Sequence, residues 1–115
     1  MEKKAKAIGK TTIAPDVLIS IAQLAALSIE GVSHLTPGPR DVNTLFKKGL
    51  NEGVDVSVED NFVYVDLYVV LKRDFNVRDV SHNIQNQVSR SISEMVGMEV
   101  GRVNIHIEDI AFAEK

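Results

Sequence analysis

Between Val54 and Leu71 the chain alternates apolar and polar residues through two consecutive runs. Val54, Val56 and Val58 alternate with Asp55, Ser57 and Glu59. After Asp60 and Asn61, the residues Val63, Val65, Leu67, Val69 and Leu71 alternate with Phe62, Tyr64, Asp66, Tyr68 and Val70. Side chains of a strand point to its two faces in turn, so the first run has one buried and one wet face. Asp60 and Asn61 supply turn chemistry, and the pair of runs reads as a hairpin. A sheet of this kind must be covered on its apolar face, and the flanking sequence supplies helices to do it.

Helix one is expected over about Pro15 to Ile29, with Pro15 at a first helical position, Asp16 in the first turn and Gly31 as the stop. On a helical projection Asp16, Ser20, Gln23 and Glu30 share a polar line. Val17, Leu18, Ile21, Leu24, Ala25 and Ile29 cover the rest. Leu27 falls on the polar line and Ile19 beside it, more apolar surface than a single core needs, which marks both as candidate contacts for a partner.

Helix two is expected over Val77 to Val96, capped by Asn76 with Asp79 three residues on, and closed by Gly97. Its inner stripe is Val77, Val80, Ile84, Val88, Ile92, Met95 and Val96. A last strand, Arg102 to Glu108, turns Val103, Ile105 and Ile107 inward and Asn104, His106 and Glu108 outward. Ala5 to Thr12 reads as a modest edge strand. Pro37-Gly38-Pro39 breaks regular structure, and Asp41 is placed to cap a short helical turn ending at Gly49.

The order is β-α-β-β-α-β, which predicts an α+β two-layer sandwich with both helices on one face of a mainly antiparallel sheet. The 115 residues suit a single domain spanning the whole chain, 1–115. Cysteine is absent and the net charge is -3, which agree with a reducing, cytoplasmic setting and weigh against general nucleic-acid binding. Lys3, Lys4 and Lys6 are not followed by an apolar stretch, so export by a signal peptide is not expected. Val17 to Leu27 is too short and too interrupted to span a bilayer, so direct membrane insertion is not expected either.

Catalytic chemistry has no anchor in this pattern. No Gly-rich phosphate cradle and no nucleophile elbow occurs, and His34, His82 and His106 lack ligand spacing, so neither cofactor, metal site nor catalytic residue is expected. The outer sheet face carries Tyr64, Tyr68 and His106, a second candidate interaction surface. With Phe62 the two tyrosines could stack bases in an RNA-binding module, but Asp66 and Glu108 stand where such a sheet would carry Arg or Lys.

Several segments together resemble a known family. They are Gly9-Lys10-Thr11-Thr12-Ile13-Ala14-Pro15-Asp16-Val17, Ala25-Ala26-Leu27 with Gly31-Val32, Gly53-Val54-Asp55-Val56, Val65-Asp66-Leu67, Ile84-Gln85-Asn86-Gln87-Val88, Gly97-Met98-Glu99-Val100 and Val103-Asn104-Ile105-His106-Ile107. In this order they resemble the alkaline shock protein family, envelope stress response proteins of mainly Gram-positive bacteria. The resemblance implies a non-enzymatic cytosolic scaffold or adaptor that forms homo-oligomers and, in some members, is held at the membrane by an integral anchor protein. Other members resemble regulators of fatty-acid synthesis acting near acetyl-CoA carboxylase. Where the family pattern has Tyr-Gly ahead of helix two, this chain has Arg73 and Asp74, a departure that bears on what the turn contacts.

Overall fold

Helix α1 (Pro15–Leu27) leads into strand β1 (Val32–Leu35), followed by β2 (Val54–Glu59), β3 (Phe62–Lys72), helix α2 (Val77–Val96) and β4 (Glu99–Ala111). The computed structural model describes residues 15–38 and 52–111. The strand expected over 5–12 and the helical turn expected after Asp41 lie outside the described residues. The architecture is the expected α+β sandwich of two layers: among the described residues, α1 and α2 pack on each other and together cover one face of a four-stranded sheet.

β3 organises that sheet. It pairs antiparallel with β2 from Val54 opposite Leu67 to Glu59 opposite Phe62, and antiparallel with β1 at Leu71, Val70 and Val69. β4 runs parallel to β3 along its full length, Phe62 to Lys72, across the helical crossover that a parallel pair requires. A strand has two edges, and β4 fills one of them. β1 and β2 therefore lie end to end along the other, meeting beside Tyr68, whose N–H donates to the Gly53 carbonyl while its own carbonyl accepts from Thr36.

The hairpin turn is as short as the sequence suggests. Glu59 faces Phe62, and Asp60 and Asn61 take φ of 53° and 70°, the double left-handed turn whose twist matches the strands. On β3 the inward row Val63, Val65, Leu67, Val69 and Leu71 is fully buried. Asn76 caps α2, its Oδ1 accepting from the Asp79 N–H at 3.0 Å, and the left-handed Gly97 closes the helix on the Ser93 carbonyl.

Four details depart from the sequence reading. Val32–Leu35 form β1, a short strand ahead of Pro37 that the sequence reading did not mark. The last strand is longer than Arg102 to Glu108 because it contains two bulges. Val63 faces Val100 but Tyr64 faces Arg102, and Val69 faces Ile107 but Val70 faces Asp109, so Gly101 and Glu108 are extra residues. Each bulge resets the alternation, which keeps Val100, Val103, Ile105, Ile107 and Ile110 on the core side despite two three-residue steps.

The other two departures concern the helices. Ile19 is 5% exposed and belongs to the core, so it is not a surface contact. Val17 and Leu24, read as core, are exposed instead. Ala22, Ala25 and Ala26 set the inner face of α1. Small side chains carry little weight on a projection, yet they let a helix approach its neighbours closely and are often fully buried. On α2 the buried row is Val80, Ile84, Val88 and Ile92, an i, i+4 ridge that winds obliquely around the helix, which leaves Val77 and Met95 outside it at opposite ends. Asp74 has φ of 71°, a conformation glycine takes most easily and aspartate tolerates, which accounts for the glycine of the family pattern at this turn.

Candidate interaction surfaces

The face of the sheet turned away from the helices follows from the register. Residues paired across strands share a face, so Asp55, Asp66 and Asn104 form one row, Ser57, Tyr64 and Arg102 the next, and Glu59, Phe62 and Glu99 the row at the hairpin end. Tyr68 and His106 sit side by side on the far side of Asp66. The structure thus brings together Tyr64, Tyr68 and His106, the outer-face residues singled out by the strand alternation.

A hydrogen-bonded cluster fixes this face. The Tyr68 and His106 rings stack with centroids 4.5 Å apart and planes 11° from parallel. His106 Nε2 lies 2.9 Å from Asp66 Oδ1, and Asn104 Nδ2 donates to the same oxygen at 3.1 Å. A carboxylate only accepts, so the His106 proton in this contact resides on Nε2. One carboxylate oxygen thereby locks the imidazole in orientation, and the imidazole holds the tyrosine ring. Tyr64 is positioned differently: a Cβ at Gly101 would stand 2.5 Å from its ring, so the bulge glycine makes room for the ring above the backbone.

Burial raises the Tyr68 phenol above its ordinary value of 10.0, and the Asp66, Asp55 and Glu108 carboxylates raise it further. Folding therefore makes the phenol hold its proton more tightly. The associated stability is present in full below about pH 10 and declines as pH rises through the folded value. The chain has two tyrosines and no tryptophan. In a Tyr64→Phe protein the tyrosinate absorbance should rise with a midpoint above 10.0, and adding Asp66→Asn should move that midpoint down. A midpoint at or below 10.0 in the first protein would contradict the electrostatics described here.

The second surface is on α1. Val17, Leu24 and Leu27 are 44%, 69% and 47% exposed, and with Ser20 they line the side of the helix facing away from the core. Leu27 is where the projection put it. Leu24 was misassigned because the helix is apolar on most of its circumference, and the buried alanines were the signal that could have fixed its phase.

His106 spends Nε2 on Asp66, and among the described residues no hydroxyl bonds to it and no group of three His, Asp or Glu side chains is placed to hold a metal ion. Tyr64 and Tyr68 share their face with Glu59, Asp66 and Glu99, and Arg102 stands beside Tyr64, a cation next to an aromatic that the sequence reading did not place there.

Comparison with known proteins agrees with the resemblance. Residues 3–112 match the model of the alkaline shock protein 23 family, described as having a cell envelope-related function. The Bacillus subtilis protein YqhY is 28% identical over 110 residues, covering 94% of this chain and 82% of that protein. YloU of the same organism is 24% identical over 108 residues, covering 89% and 88%. Among solved structures, the copper form of the MamM CTD shares the fold, with a TM-score of 0.53 at 10% identity over 88% of this chain and 91% of that one.

Proposed function

The chain belongs to the alkaline shock protein 23 family, and from that premise we propose that it is a non-catalytic contact module that self-associates and serves as a scaffold at the cell envelope. The observation that carries this reading is the apolar stripe Val17, Leu24 and Leu27 on α1, which a second copy of the chain would cover. No described helix is long and apolar enough to cross a membrane. In this reading the protein works in the cytoplasm and reaches the membrane through an integral anchor partner.

Covering a leucine side chain contributes about 1.5–3 kcal/mol by transfer, and a glutamate in its place adds the cost of a desolvated charge. Leu24→Glu with Leu27→Glu should therefore weaken self-association by about a hundredfold or more, 1.4 kcal/mol being a factor of ten. Both residues are exposed, so the fold should be kept. Light scattering and circular dichroism give the two readouts: the variant should fall to the mass of one chain with unchanged helicity. A wild-type protein that is already a single chain, or a variant that keeps the wild-type mass, would overturn the reading.

A further inference from the structure

We propose that the outer sheet face is a docking site for an arginine-bearing basic segment of a partner protein, its guanidinium stacking at Tyr68–His106 and pairing with Asp66. This goes beyond self-association and uses a surface on the opposite layer from α1.

The described helices lie on the other side of the sheet, and on this face the His106 and Asp66 side chains are 42% and 31% exposed, open to an incoming molecule. Its charge selects the occupant. Among the described residues of these rows, Asp66, Glu59 and Glu99 stand on it against Arg102. A second copy laid face to face would set carboxylates against carboxylates, and nucleic acid or an anionic lipid surface would be repelled. A cationic segment is attracted.

The geometry favours arginine over lysine. The aromatic platform is already built and held, since Asp66 Oδ1 fixes His106 and His106 stacks on Tyr68, so little ordering is needed on binding. Both hydrogen bonds to Asp66 converge on Oδ1, which leaves Oδ2 to accept from a guanidinium. A planar guanidinium can lie against aromatic rings and donate to a carboxylate at once, whereas an ammonium is a compact, strongly hydrated charge.

Fluorescence anisotropy on the full chain tests this with three labelled peptides of repeating Arg-Gly-Ser, Lys-Gly-Ser and Glu-Gly-Ser. The arginine peptide should bind more tightly than the lysine peptide, and the glutamate peptide not at all. Asp66→Asn and Tyr68→Leu should each weaken arginine binding by about tenfold, the size of one desolvated cation–π or charge-assisted contact. Tyr68→Phe, which keeps the ring, should bind within about twofold of wild type. Glu94→Gln removes one negative charge from the exposed side of α2, where Glu94 pairs with Arg90, and controls for net charge. Absence of arginine binding, equal affinity for arginine and lysine peptides, or equal loss in Asp66→Asn and Glu94→Gln would overturn the proposal. So would full binding by a Tyr68→Leu protein with native circular dichroism. Leu24→Glu with Leu27→Glu should leave the peptide affinity intact, so this site and the self-association surface can fail separately.

Discussion

Replacing Leu67 by alanine should destabilise the fold by about 3 to 5 kcal/mol, a large part of the roughly 5 to 15 kcal/mol that holds a domain of this size together. Leu67 is fully buried in the middle of β3, opposite Val54 on one neighbouring strand and Ile105 on the other. Truncation would leave a cavity between three strands that share their backbone hydrogen bonds, with little freedom to collapse into it. Urea unfolding followed by circular dichroism measures the loss directly. A change below about 1 kcal/mol, the range of conservative swaps, would mean that β3 does not run through the core as described.

Gly53→Ala should cost about 3 kcal/mol or more, an unusual penalty for adding one methyl group. Gly53 has φ of +83°, and a Cβ there would stand 2.7 Å from the Thr36 carbonyl oxygen and 2.9 Å from Leu35 Cβ. The close atoms belong mainly to the backbone of the chain leaving β1, so no side-chain rotation relieves the clash. Gly97 provides the internal comparison: its φ of +75° is similar, but nothing lies within 4 Å of its Cβ position. Gly97→Ala should lose only about 1 kcal/mol, the conformational part alone. Thermal unfolding of the two variants side by side separates the steric from the conformational cost, and equal losses would show that the junction of β1 and β2 is looser than it is drawn.

How much of this was legible in the sequence depended on what each residue type reveals. The hairpin was readable because the two runs on either side of Asp60-Asn61 each carry an apolar residue at every second position and Asp60-Asn61 tolerate the turn they form. The second helix was readable from its cap at Asn76 and its stop at Gly97. β4 was only half readable, since a bulge replaces the two-residue period with a three-residue step at Gly101 and again at Glu108. α1 was misphased because its apolar residues go nearly all the way round, and Ala22 and Ala26, which decide the packed face, look neutral on a projection. The outer cluster was legible as a list of outward residues on separate strands. That His106, Asn104 and Asp66 meet at one oxygen depends on the parallel register of β3 and β4, which no local pattern encodes.

The end-to-end placement of β1 and β2 along one edge of β3 also bears on how the protein is born. Synthesis delivers α1 and β1 first, but β1 is hydrogen-bonded into the sheet through β3, and β3 ends at Lys72. The β2–β3 hairpin can close as soon as it leaves the ribosome, because its loop is two residues long. Until then Leu18, Ile19 and Ile21 have no sheet to cover, and they share a helix with Val17, Leu24 and Leu27, which stay exposed even in the finished fold. The nascent α1 segment therefore carries its largest unpacked apolar surface before β2 and β3 have been translated, the interval in which such surface is open to chaperone capture or to premature pairing between chains.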